Sequence, residues 1–191
     1  MTAVPTLYAT PRPWSTRAGI TLVEMLVVIV MIGILVAIAF PRLDSQKYRL
    51  DGDVRSVSMT LAYAQRLAVS LQHNVLVTID KTNHQLRAHE DKNNDGAFTA
   101  DERVRVLQLE QGVNFERNGA PDVPSPVPQV ELLNFQFMRD GSTNAGGMIF
   151  MSTDKAVATG DLTHSRAVEL IRATGRPTWY RFRGGVWVRG I

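Results

Sequence analysis

The chain has 191 residues, with 21 Lys and Arg against 18 Asp and Glu, a formal charge of +3, 45% hydrophobic residues and no cysteine. No disulfide, thiolate metal centre or cysteine nucleophile is therefore available. The small positive balance makes no global case for a polyanionic partner: Arg12 and Arg17 stand in an acid-free opening segment, and without them the charge is +1.

The first element is an apolar run. From Ile20 to Phe40 the only charge in 21 residues is Glu24, and a helix of that length, at ~1.5 Å per residue, reaches about 32 Å, the thickness of a bilayer's hydrocarbon. The stretch from Met25 to Phe40 already exceeds the roughly 7–15 apolar residues of a secretory signal, so the run predicts a single membrane span. About 150 residues follow, enough for one domain with a proper core. Flanking cations do not orient the span, because Arg12 and Arg17 face Arg42, Lys47 and Arg49 across it.

Glu24 needs a reason. A carboxylate inside a span costs on the order of 2–3 kcal/mol at the bilayer centre and normally has a partner, and its own helix offers none. It lies four residues after Ile20, on the same helix face. A cut between Gly19 and Ile20 would create an α-ammonium at the helix start, which the Glu24 of an adjacent chain could neutralise.

This pattern, Arg17-Ala18-Gly19 followed by Ile20-Thr21-Leu22-Val23-Glu24, an apolar run with Gly33, and then Pro41, resembles the processing signal of type IV pilins and type II secretion pseudopilins. It departs at Ile20, where Phe is usual, and in a long leader containing Pro5, Pro11 and Pro13. The resemblance implies cleavage after Gly19 by a prepilin peptidase/methyltransferase, N-methylation of Ile20, assembly through Glu24 with other pilin or pseudopilin subunits, and a bacterial inner-membrane protein whose C-terminal domain is periplasmic. The implied segments are a leader at 1–19, a transmembrane helix at 20–41, an amphipathic helix at 42–72 and a β-rich domain at 73–191.

Pro41 should kink the helix rather than end it, since a helical pattern resumes behind it. Leu50, Val54, Val57, Leu61, Ala64, Ala68 and Leu71 recur four and three apart and make one stripe on a helix running to about Gln72. The small residues Ala64 and Ala68 favour packing on a sheet over a free coiled coil. Beyond Asn74 the period becomes two and β-branched residues rise, giving strands at 75–79, 85–89, 103–109, 133–138, 148–151 and 167–171. The fold class is α+β, a long N-terminal helix on an antiparallel β-rich domain.

Between two of these strands, Asp91 to Glu102 fits a calcium-loop pattern at every specified position. Asp91, Asn93, Asp95, Ala97, Thr99 and Glu102 are the ligand positions, and Gly96 supplies the sharp turn. Its flanks read as strands, so the expectation is a calcium staple on a long loop rather than a helix-opening switch. The competing reading is a solvated polar loop. His84 and His89, five apart in a strand, would point to opposite faces and cannot share a transition metal.

Pro121 to Pro128 carries four prolines, cannot enter a central strand and reads as an exposed loop or connector. The chain closes with Thr178 to Arg183, Gly184-Gly185, then Val186 to Arg189, a hairpin whose two glycines supply the positive φ of a two-residue turn. In that register Tyr180, Phe182 and Trp187 share a core-facing side, opposite Arg181 and Arg183. A late strand ending in Thr174-Gly175-Arg176, together with the helix-to-strand junction Tyr63 to Val75, is similar to the GspH/FimT group of minor subunits. From Gly160 onward Arg166, Arg172, Arg176, Arg181, Arg183 and Arg189 oppose only Asp161 and Glu169, and arginines such as Arg176, Arg181 and Arg183 interleaved with Trp179, Tyr180, Phe182 and Trp187 would grip single-stranded DNA by charge and stacking, against the reading of a solvated basic face over an aromatic core. Some FimT-like pilins, which this region resembles, take up DNA through a Gly-Arg-any-Arg motif. Here Gly175-Arg176-Pro177-Thr178 lacks the second arginine. No nucleophile elbow, phosphate-binding glycine loop or zinc-protease helix motif is present, so the reading is a minor pseudopilin or minor pilin and not an enzyme. The alternatives are a DNA-binding minor pilin and a signal-anchored enzyme or receptor.

Overall fold

A computed structural model describes residues 19–39 and 45–190. They fall into two units, the first holding α1 and the second everything from α2 onward. The residues before Gly19, the Pro41 junction with its expected kink, and Ile191 lie outside the described residues.

α1 (Leu22–Ala39) has one polar residue, Glu24, in its first turn. Thr21 starts it: its carbonyl accepts the first helical bond, from the Met25 N–H at 3.2 Å, and its hydroxyl accepts the otherwise orphaned Glu24 N–H at 3.1 Å. At 18 residues it rises about 27 Å, a little under a bilayer's hydrocarbon. Among the described residues no helix is long and apolar enough to cross a membrane.

In the second unit the predicted stripe becomes the inner face of α2 (Ser45–Leu71), with Leu50, Val54, Val57, Leu61, Ala64 and Ala68 fully buried. Each larger side chain among them contributes about 1.5–3 kcal/mol of burial. Leu71 departs from the stripe and is 44% exposed, because the helix stops there: Gln72 turns to φ 58° and the chain enters β1.

Two antiparallel sheets receive α2. The first has the order β3-β2-β1-β5, from β1 (Asn74–Asp80), β2 (Gln85–Asp91), β3 (Val104–Gln108) and β5 (Asn134–Phe137). Three of its strands alternate: Val75, Val77, Ile79, Leu86, Ala88, Phe135 and Phe137 turn towards α2 and are buried, and their neighbours in sequence turn outward, while the edge strand β3 has no buried residue. The second sheet has the order β4-β6-β7-β8-β9, from β4 (Val113–Asn114), β6 (Gly147–Thr153), β7 (Arg166–Leu170), β8 (Pro177–Arg183) and β9 (Val186–Arg189). Here β6 and β7 are buried at every position, because α2 covers one face and the proline-rich segment covers the other. Closed on both faces, β6 reads from Met148 to Met151 as an unbroken apolar run rather than an alternation, whereas β7 buries two charges, Arg166 against Asp51 and Glu169 against Ser125 and Tyr180.

That cover corrects the expectation of an exposed connector. Val123 and Val127, set between the prolines, are buried with Ala120, Met148, Phe150, Ala167, Phe182 and Trp187 in a second core. Polar bonds pin the segment: Trp187 Nε1–H donates to the Pro121 carbonyl at 3.0 Å, the Gln129 amide brackets Val123 at 3.0 Å in both directions, and the Ser125 hydroxyl donates to Glu169. Three short elements were not anticipated: β4, a helix α3 (Asp154–Thr159) capped by the Thr153 hydroxyl and ended by Gly160 at φ 70°, and a 3-10 turn at Leu162–His164.

Candidate functional site

Gly19 and Ile20 precede the first helix, without regular structure and exposed, Ile20 at 70%. Glu24 lies exposed in the first turn, where the free N–H groups and the helix dipole favour an anion.

The acidic loop is built within its own twelve residues. Asp91 ends β2 and is fully buried, its two oxygens accepting the N–H of Asp95 and of Gly96, each at 3.0 Å. Glu102, 8% exposed, closes the loop by accepting from Lys92 N–H and Thr99 N–H, again at 3.0 Å. Asn93 and Asp95 hold each other through the Asn93 amide at 2.7 Å, and Asp95 accepts from Ala97 N–H at 2.8 Å. Asn94 and Gly96 take φ 56° and 76°, so the sharp turn falls at the glycine as the pattern predicts. Asp101 is held below the ordinary carboxylate range, chiefly by the Thr99 hydroxyl.

These donors suit a hard cation, because each carboxylate oxygen that accepts one N–H keeps a second lone pair. Among the described residues, however, no three His, Cys, Asp or Glu side chains stand together as ready metal ligands. A cation here would have to draw Asp91, Asp95 and Glu102 inward. His84 sits in the turn before β2 at φ 53° and His89 within the strand, its ring 5.1 Å from Phe98. Burial and Arg87 push the His89 imidazole below its usual pKa, although Glu102 opposes them. The two histidines do not form a site.

The C-terminal hairpin has the expected register, Arg183 opposite Val186 and Phe182 opposite Trp187, with Gly184 and Gly185 at φ 60° and 82°. Phe182 and Trp187 pack edge to face at 5.3 Å within the second core. Tyr180 beside them donates to Glu169 at 2.8 Å, and burial followed by that bond raises its phenol's pKa. Trp179 faces the other way, towards α2, with the Arg55 guanidinium 5.6 Å above its ring. Arg176 precedes β8 and Arg183 ends it, so they are about 20 Å apart along the strand, and the three expected nucleic-acid residues do not converge. Gly175 has a packing role: an added Cβ would lie 2.2 Å from the Gly141 carbonyl oxygen, at φ 60°.

Sequence reasoning missed the long-range polar contacts. Arg166, 1% exposed, donates to Asp51 of α2 at 2.6 Å and to the carbonyls of Thr163 and Ser165 at 2.9 Å. Gln65 of α2 donates to the carbonyls of Gly141, at 2.8 Å, and Thr174, at 2.5 Å, tying a loop of each sheet to one helix. A lone Asp or Gln flanking an apolar helix stripe is a weak signal for such a partner.

Residues 14–40 match the model of the prokaryotic N-terminal methylation motif. The chain thus carries, at its start, the segment of prepilin-type proteins. No curated protein matches it. Among solved structures it is similar to the minor pseudopilin EpsH of the type II secretion system of Vibrio cholerae, at 14% identity in two structures. One has a TM-score of 0.47 over 72% of this chain and 98% of EpsH, the other 0.48 over 70% and 96%.

Proposed function

We propose, from the methylation motif at its start, that this chain is a pilin-like structural subunit, a minor pseudopilin of a type II secretion pseudopilus or a minor pilin of a type IV pilus. On this reading the segment around α1 anchors in the inner membrane with the second unit in the periplasm. A prepilin peptidase cuts between Gly19 and Ile20 and the new amine is methylated. The exposure of Gly19 and Ile20 ahead of a capped helix supports this, since a peptidase needs an uncovered bond. Methylation keeps the positive charge, which on this reading the Glu24 of an adjacent subunit neutralises, setting the register.

Mass spectrometry of the protein from cells with an active prepilin peptidase tests the reading. The expected N-terminus is N-methylated Ile20; an intact leader would overturn the assignment and leave a signal-anchored enzyme or receptor. Glu24→Ala should be cut normally but enter filaments poorly, and normal entry would remove the pairing role.

Calcium binding by the Asp91–Glu102 loop is a second reading, supported by the six ligand positions and by the burial of Asp91 and Glu102 at its two ends. Bound calcium would relieve the mutual repulsion of Asp91, Asp95 and Glu102 and stabilise the chain by mass action. In the detergent-solubilised full chain, millimolar calcium should raise the tryptophan-monitored melting midpoint over that in chelator. Glu102→Ala should abolish the rise, and magnesium should substitute poorly because it demands a tighter octahedral shell. An unmoved midpoint would leave the loop self-sufficient. DNA uptake has less support, with Arg176 remote from Arg183 and Tyr180, Phe182 and Trp187 turned under the proline-rich cover.

A further inference from the structure

Arg166 and Arg181 stand directly opposite each other on β7 and β8, on the face turned to α2, and like charges so placed repel. Asp51 neutralises Arg166. Nothing does the same for Arg181: its Nε is buried without a hydrogen-bond partner, and among the described residues it makes no ion pair. The neighbouring cations do not relieve it. Arg55 lies over Trp179, two positions before Arg181 on the same face, and Arg183 follows two positions after, exposed. Opposite Arg183 and Arg181 on the open edge strand β9 are Val186 and Val188, 60% and 38% exposed.

We propose that Arg181, Arg183 and Arg55, with Val186 and Val188, form a docking surface for a neighbouring protein subunit that presents a carboxylate to the arginines. This rests on the reading of the chain as an assembling subunit and names one of its contacts. Charge calls for an anion, and the flanking chemistry selects its source. Apolar side chains set among arginines are the composition of a protein interface core, where a partner excludes water and strengthens each charge-assisted bond. A phosphate backbone would leave both valines wet. Single-stranded nucleic acid would also need aromatic platforms, and on this face the one ring of β8 and β9, Trp179, already carries Arg55.

The test places a photo-crosslinking amino acid at position 188 of the full chain in cells that assemble it, and identifies the crosslinked peptide by mass spectrometry. The expected product is a protein segment with Asp or Glu within a few residues of the crosslink, its yield falling about tenfold in Arg183→Glu, the effect of losing one charge-assisted contact. Arg181→Glu should act likewise and Arg181→Lys partly preserve it. Changing the identified acid to Arg should restore the yield in Arg183→Glu. Crosslinks to nucleic acid or lipid alone, a yield indifferent to Arg183→Glu, or no crosslink from filament-incorporated protein would each overturn the proposal while the subunit reading stands. An unprocessed chain absent from filaments would overturn both.

Discussion

The acidic loop between β2 and β3 and the basic hairpin of β8 and β9 handle charge in opposite ways. The loop contains its own solution: Asp91 and Glu102 are buried, yet every oxygen they carry accepts an N–H from within the same twelve residues. The hairpin region solves its charge at long range or leaves it open. Arg166 reaches an aspartate on α2, Arg55 takes an aromatic face, and Arg181 keeps an unpartnered Nε. Self-contained charge makes a local module that tolerates its surroundings; charge settled at a distance couples a sheet to a helix and invites outside partners.

Removing one member of the long-range pair should produce the largest effect. Asp51→Ala leaves the Arg166 guanidinium buried and uncompensated, and should cost about 3–5 kcal/mol of global stability in denaturant unfolding. A loss below ~1 kcal/mol would mean the pair is better solvated than its burial implies. Asp91→Ala should take the acceptor from the Gly96 N–H and leave the Asp95 N–H to Asn93 Oδ1 alone, at 3.1 Å; both residues are exposed and open to water, so the cost should be about 1 kcal/mol, that of ordinary hydrogen bonds exchanged for solvent. Its signature differs: hydrogen exchange should accelerate at Asp95 and Gly96 and stay slow in β7. Exchange rising equally in both places would erase the distinction between module and coupling.

The smaller effects concern pH. Asp101 is exposed and its folded pKa is lowered, so its stabilising contribution is present above the unfolded value near 4 and is lost as pH falls through the folded value. Thr99→Val removes the main cause, and an NMR titration should then find the Asp101 pKa moved up towards the ordinary range. Asp53, buried on α2, runs the other way. Burial raises its pKa despite the bond it accepts from Glu110 N–H, so its native form gains relative stability as pH falls through that raised value. Asp53→Asn, which keeps an acceptor for the Glu110 N–H, should abolish that gain, read as denaturant midpoints that no longer rise relative to wild type as pH falls.

The contrast also explains what was legible. The hairpin register followed from Gly184-Gly185 because a two-residue turn leaves one pairing, and the turn of the acidic loop followed from Gly96 because its partners are a few residues away. Asp51 with Arg166, and Gln65 with Gly141 and Thr174, are joined only by the complete topology. The buried proline-rich cover was illegible for a different reason. Its prolines announce irregular backbone, while the second core depends on Val123 and Val127 meeting a sheet face that the local pattern does not reveal. β4 and α3 are shorter than the windows in which a period can be recognised.

Asp51 and Gln65 also bear on how the domain carries mechanical load. They rivet α2 to the sheets at two points roughly 21 Å apart along the helix axis, one to β7 and the other to a loop of each sheet. A pull along α2, as on a subunit in a filament under tension, would load both rivets and the buried stripe between them in shear. They would have to yield together rather than peel in sequence, so resistance to an axial force would exceed what either rivet supplies alone.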